Sequence, residues 1–166
     1  MTAWRAAAVD LGASSGRIVV GELDGDRLAL HEGHRFANAG VSVAGHQYWD
    51  VLRLFDEIRS GLGLARQEHG DLASVGVDTW GVDYGLLDEQ DNLLGNPYHY
   101  RHGRTEGTLD AVFETVPRQE VFEHTGIQFM QLNPLYQLYA MRQGGVPALD
   151  MARTFLNMPD LFNFWL

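Results

Sequence analysis

Apolar and polar positions change period several times along this chain, and each change marks an element. Ala6 to Val9 is a short apolar run that ends in Asp10, and Ile18 to Gly21 is a second. The turn between them is built from small residues, Gly12-Ala13-Ser14-Ser15-Gly16. Asp24-Gly25-Asp26 is a turn signature, and Arg27 to Phe36 then carries Leu28, Leu30 and Phe36 as its larger apolar residues. This predicts three consecutive strands joined by tight turns, an antiparallel meander. Asn38 to Gln47, with Gly40, Gly45 and small residues, reads as a loop. From Trp49 to Gln67 the period becomes helical, because Val51, Leu54, Phe55, Ile58, Leu62 and Ala65 share one face. Asp50 is the expected N-cap and Gly70 the expected stop, while Gly61 and Gly63 weaken the last turns.

Strand character returns at Ala73 to Thr79, with Val75 and Val77 on one face, and again at Val82 to Leu87 after only Trp80-Gly81. Asp88 to Asn92 is a polar turn. The remainder predicts short helices: Thr105 to Val116, one from Pro117 to Gly126, and one opened by Asn133-Pro134 that runs to about Gln143. Thr154 to Asn157 reads as a short strand, and Pro159-Asp160 opens a last helix with Phe162, Phe164, Trp165 and Leu166 as its apolar residues. That helix has no cap signal, so the chain reads as cut within it. No internal repeat or low-complexity tract interrupts the pattern, and no domain boundary stands out.

Two junctions between strands concentrate the candidate chemistry. At the first, a tight turn of glycines and serines can point several backbone N–H groups at one spot, an anion cradle of the nest kind. Asp10 beside it is placed to hold a hydrated Mg²⁺ against phosphates. The same residues also suit a plain hairpin loop, with glycine for backbone reasons. At the second, Asp78-Thr79-Trp80-Gly81-Val82-Asp83 brings two acids, a threonine, an indole and a glycine together. A sugar needs acids and amides for its hydroxyls and an aromatic wall, and glycine admits a ligand close to the backbone. The alternative is a structural bend, with Trp80 in the core and the aspartates forming turns. No Gly-x-x-x-x-Gly-Lys-Ser/Thr and no Gly-x-Gly-x-x-Gly occurs.

Composition narrows the class. The chain has 166 residues, enough for one domain with a real core. Acids outnumber Lys plus Arg by 22 to 12, a formal charge of −10, which argues against nucleic acid or anionic membranes as partners. There is no cysteine, which removes disulfides, thiolate metal sites and cysteine nucleophiles and suits a cytoplasmic location. No apolar run approaches the ~20 residues of a membrane span, and no leader-like apolar segment precedes Asp10. The seven histidines are scattered; His31 with His34 and His99 with His102 are close pairs, neither on a clear ligand scaffold.

The strand-strand-strand-helix-strand order, with an Asp-Leu-Gly hairpin at the first turn, resembles the ribonuclease H-like α/β fold of the actin, hexokinase and Hsp70 ATPases. More specifically the chain is similar to the FGGY family of carbohydrate kinases. The likeness rests on Ala8 to Arg17, Asp78 to Asp83, Tyr100-Arg101 with Arg104-Thr105, Thr125 to Phe129, Leu135 to Leu138, and Met158-Pro159-Asp160. The first motif is shared widely in such kinases, whereas Asp-Thr-Trp-Gly-Val-Asp resembles the rhamnulose-phosphorylating branch. The resemblance implies a mixed sheet opening with the meander, helices packed on it, and residues 1–166 as the N-terminal part of a first kinase domain. It implies ATP and Mg²⁺ as cofactors and L-rhamnulose as substrate, phosphorylated on its 1-hydroxyl. Gly12, Ala13, Ser14, Ser15, Gly16 and Arg17 would lie along the ATP phosphates, Asp10 would hold the metal through water, and Gly81, Trp80 and Asp83 would touch the sugar. A larger polar or charged residue often replaces Gly81 in related kinases. His102 stands where the family commonly has aspartate. The family's catalytic aspartate, adenine contacts and second domain lie further along than this chain extends, so no catalytic base is expected within it. A kinase for another ketose or deoxy-sugar, or a sugar sensor on the same scaffold, are the alternatives. The acidic charge, and a first strand within a few residues of Met1, favour the enzyme over a regulator that adds a basic segment.

Overall fold

The computed structural model describes residues 4–166; Met1, Thr2 and Ala3, part of the segment read as carrying no leader, lie outside the described residues. In chain order the elements are β1 (Trp4–Leu11), β2 (Ser15–Asp24), β3 (Arg27–Ala37), β4 (Gly40–Val43), β5 (His46–Trp49), α1 (Val51–His69), β6 (Ser74–Thr79) and β7 (Tyr84–Leu87). A 3₁₀ turn (Gly103–Thr105) follows, then α2 (Thr108–Thr115), α3 (Arg118–Thr125), α4 (Pro134–Gln143), α5 (Pro147–Met151), β8 (Thr154–Asn157) and α6 (Met158–Trp165). They separate into two compact units. The first comprises the chain up to Val41, Trp49–Gly81 and Leu156–Leu166; the second comprises Ser42–Tyr48 and Val82–Phe155.

The first unit is built on a four-stranded sheet of order β3-β2-β1-β6. β1, β2 and β3 form the expected antiparallel meander, and β6 joins β1 in parallel. That parallel neighbour requires a crossover, and α1 lies within it. Ala7, Val9, Leu11, Ile18 and Val20 are buried on alternate strand positions. The buried face of α1 is Val51, Leu54, Ile58, Gly61 and Ala65. Asp50 caps α1 by accepting the Arg53 N–H at 3.3 Å. Gly70 ends it with φ 81° and its N–H on the Arg66 carbonyl. A Cβ on Gly61 would stand 2.5 Å from Ile18 Cγ1 and 3.0 Å from His34 Cβ, so this glycine lets the helix approach the sheet. α6 packs beside β6, burying Met158, Leu161 and Phe162, and its Trp165 ring meets Phe55 of α1 edge-on at 5.4 Å.

The second unit has a buried strand, β7, paired with β8. Tyr84, Leu86 and Met141 form one core cluster with Leu94, Leu138 and Val146. Val112, Val121 and Tyr136 form another, filled by Phe113, Phe129 and Tyr139.

Several sequence expectations are corrected. Asn38 to Gln47 is not all loop: β4 and β5 form a hairpin whose turn, Ala44-Gly45, has φ 49° and 82°. Two left-handed residues are what a tight two-residue hairpin requires. The strands escaped notice because Val41 and Val43 are exposed, leaving no apolar alternation against a core. Leu28 and Leu30 do lie in a strand but are 64 % and 68 % exposed, on the side of the sheet that carries Gly21. The helix expected from Thr105 begins at Thr108, because Gly107 takes φ 74° and separates it from the 3₁₀ turn. α5 was not anticipated, since five residues are too few to show a period. The strand expected from Val82 begins at Tyr84, because Val82 itself has φ 73°.

Candidate functional site

In the first unit, the parallel pairing of β1 and β6 sets Asp10 level with Asp78 at the C-terminal ends of neighbouring strands. In open α/β sheets, that end is where ligands gather. On its other side Asp10 is level with Arg17 of β2. Arg17 donates from Nε and Nη2 to Asp10 Oδ2 at 2.8 and 2.7 Å, and from Nη1 to Glu32 Oε2 at 2.9 Å. The bond to Asp10, then that to Glu32, pushes the Arg17 guanidinium pKa up. Arg35 first, and Arg17 second, hold the Glu32 carboxyl below its ordinary range. A row of alternating charge, Glu32-Arg17-Asp10, thus ends beside the exposed Asp78.

The turn after β1 is closed from within. The Gly12 N–H donates to the Ser15 carbonyl at 2.9 Å. Asn38, 1 % exposed, donates its side-chain amide to the Gly12 carbonyl at 2.6 Å and its backbone N–H to the Ser14 carbonyl at 3.0 Å. No residue from Gly12 to Arg17 takes a left-handed φ, so the turn is not a nest of alternating handedness. Ala13 and Ser14 form its exposed tip. Gly16 is glycine for packing: a Cβ there would lie 2.4 Å from the Phe36 ring and 2.7 Å from Leu11 Cδ2.

After β6, the Thr79 hydroxyl donates to the Trp80 carbonyl at 2.8 Å. The half-buried Trp80 ring leans on the fully buried Trp49, with centroids 4.0 Å apart and planes at 32°. Gly81 is exposed, a Cβ on it would meet nothing within 4 Å, and its φ is not left-handed. Neither strain nor crowding therefore calls for glycine at this position.

The second unit holds the rest of the motif. Asp83, expected at the sugar, is 1 % exposed, with both oxygens turned to protein donors. Oδ1 accepts from Gln137 Nε2 at 3.2 Å and Oδ2 from the Tyr100 N–H at 3.2 Å. Gln137 Nε2 also reaches the carbonyls of Val82 at 3.0 Å and Leu132 at 2.7 Å. Arg104 donates to Gln137 Oε1 at 2.5 Å and to its carbonyl at 3.3 Å, with its guanidinium 4.2 Å from the centre of the Tyr98 ring. His102 Nδ1 accepts the Arg104 N–H at 2.8 Å, the bond an aspartate would make as cap of the 3₁₀ turn. Its Nε2 faces His46 Nδ1 at 2.9 Å; with ring centroids 5.1 Å apart, the two rings meet edge to edge.

The model of the FGGY family of carbohydrate kinases, N-terminal domain, matches residues 6–166. The chain belongs to that family. Curated FGGY relatives include a rhamnulokinase of Halalkalibacterium halodurans, 43 % identical over 96 % of this chain and 34 % of its own length. Another, of Bacteroides thetaiotaomicron, is 44 % identical over 96 % of this chain and 33 % of its own length. The chain thus spans about a third of the length of these relatives. Among solved structures, a gluconate kinase from Lactobacillus acidophilus superposes with a TM-score of 0.83 at 16 % identity, covering 99 % of this chain and 33 % of that one. A xylulose kinase from Rhodospirillum rubrum gives 0.83 at 17 %, covering 98 % and 34 %. At that identity the likeness speaks for the fold, which is the ribonuclease H-like α/β arrangement expected.

Asn38 and Gln137 carry no role in the sequence reading, and Asp78 figures there only as one of the two acids of the second junction. Asn38 follows a strand with no motif to mark it. Asp78 opens the Asp-Thr-Trp-Gly-Val-Asp run, but only the strand register sets it beside Asp10. Gln137 is the one signal present in sequence: a polar residue inside Leu135-Tyr136-Gln137-Leu138-Tyr139, and it is 2 % exposed.

Proposed function

We propose that the protein carrying this chain transfers the γ-phosphoryl group of ATP to the 1-hydroxyl of L-rhamnulose, giving L-rhamnulose 1-phosphate. The observation that carries this reading is the 40–44 % identity to rhamnulokinases across 96–100 % of the chain. The geometry supports it. Ala13 and Ser14, at the exposed tip of the β1–β2 turn, and Ser15, the first residue of β2, would offer backbone N–H groups and hydroxyls to the phosphates. Arg17, level with Asp10 on the neighbouring strand and paired with it, adds positive charge beside the carboxylate that would hold the metal. Asp10 is 41 % exposed, enough to meet a hydrated cation. Mg²⁺ would rest on Asp10 through water and on the nucleotide itself. Bound Mg²⁺ would supply neutralisation of phosphate charge. Transfer of this kind is mostly positioning and charge neutralisation. Gly81 leaves space for the sugar to approach the backbone, and Trp80, propped by Trp49, offers an aromatic surface beside it.

The test is steady-state kinetics of the full-length protein with ATP, Mg²⁺ and a panel of L-rhamnulose, other ketoses and deoxy-sugars. L-rhamnulose is expected to give the highest kcat/KM. A higher value for another sugar would overturn the choice of substrate, and no turnover with any sugar would overturn the kinase reading.

A further inference from the structure

Building on the sugar role proposed for Gly81, we infer that Gln137 is the positioning residue of that loop. It acts by holding Val82 and Asp83, the two residues that follow Gly81 in the chain. Val82 is β-branched, yet it sits at φ 73°, a conformation such side chains rarely adopt. A strained residue of this kind persists only when its surroundings over-determine it. Gln137 supplies that constraint. Its two Nε2 hydrogens serve three acceptors: one goes to the Leu132 carbonyl at 2.7 Å, and the other is shared between the Val82 carbonyl at 3.0 Å and Asp83 Oδ1 at 3.2 Å. Arg104 occupies Oε1 and so orients the amide, leaving Nε2 toward Val82 and Asp83. The second oxygen of Asp83 takes the Tyr100 N–H, which ties the same loop to the Tyr100-Arg101 segment.

Only a primary amide of this length meets the demand, which is to donate to a carbonyl and a carboxylate while accepting from a guanidinium. Glutamate would lose both donors and set a second negative charge against Asp83. Methionine keeps the shape and removes the bonds. Asparagine is one methylene too short. Without the clamp, Val82 gains by returning to extended φ, and Gly81, bonded to it, turns with it. The side chain is remote from Asp10 and the β1–β2 turn in the chain and makes no hydrogen bond to them, so its loss should weigh on the sugar and not on the nucleotide.

The experiment uses the full-length protein with the sugar that the unmodified enzyme turns over best. Gln137→Met is expected to raise the KM for sugar about tenfold or more while the KM for ATP stays within about twofold. Adding Val82→Gly to that variant is expected to recover part of the loss, because glycine takes positive φ at no steric cost. Should Gln137→Met not fold, Arg104→Lys, which releases the grip on Oε1, should produce the same split. Equal effects on both KM values, a lower melting temperature with unchanged KM values, or no recovery with Val82→Gly would overturn the inference. The outcome is separable from the choice of substrate, which the unmodified enzyme alone decides.

Discussion

A single nitrogen decides what His102 contributes. Its Nδ1 accepts the Arg104 N–H, so the neutral ring carries its proton on Nε2 and donates it to His46 Nδ1. An aspartate could make the first bond but not the second. Burial first, then His46 and Arg104, holds the His102 pKa below the ordinary histidine value of 6.5; burial and then Arg101 do the same to His99. The unfolded chain therefore binds more protons between the folded pKa and 6.5, and stability contributed by these rings is present above that range and lost as the pH falls through it. Thermal melts from about pH 7 to about pH 5.5 should show a falling melting temperature, and a shallower fall for His102→Asp, which keeps the cap and removes the titrating ring. Equal slopes would show that the ring does not report acid. Gly81 gives a second residue-scale expectation. With open space around it and no left-handed φ, Gly81→Ala should leave the melting temperature nearly unchanged. If the sugar passes there, the same change should lower kcat/KM for sugar by up to about 10²-fold, because an added methyl displaces a bound substrate by an ångström or so. A large drop in melting temperature with unchanged sugar KM would reverse that assignment.

At the level of elements, α1 separates two glycines that look alike in sequence. Both were expected to weaken the helix. Gly63 does only that, since a Cβ there would meet nothing within 4 Å. Gly61 instead sits where the helix crosses Ile18 and His34. Gly63→Ala should therefore stabilise by about 0.5–1 kcal/mol through propensity. Gly61→Ala should destabilise by about 1–3 kcal/mol through overpacking, despite the same gain in propensity. Chemical denaturation of the two variants checks the opposite signs. The apolar face of α1 and its caps at Asp50 and Gly70 were legible, because a helix writes its contacts at a fixed period. The β4–β5 hairpin was not, since its valines face solvent and an alanine fills a left-handed turn position.

For the whole molecule, the proposed phosphoryl transfer makes Asp10 the decisive carboxylate of this chain. Asp10→Asn in the full-length protein should lower turnover by orders of magnitude with little change in melting temperature, because Asp10 is 41 % exposed and its bond to Arg17 lies at the surface. A lowered melting temperature with normal turnover would mean that the carboxylate serves the hairpin alone. Residues close in the chain made the meander, the long helix, the glycine-serine turn and the Asp78–Asp83 run readable, since local period and turn chemistry are properties of neighbours. What lies far apart in the chain was decided by tertiary structure. The register of a parallel crossover sets Asp78 beside Asp10, and a buried amide 54 residues on takes the oxygen that Asp83 was expected to offer a sugar. Sequence determined which polar groups stand at the strand ends; only the pairing of β6 with β1, and the packing of α4 against the Val82-Asp83 backbone, decided which of them stay exposed and which are taken up by protein partners, because a buried polar group must find its partner wherever the fold brings one.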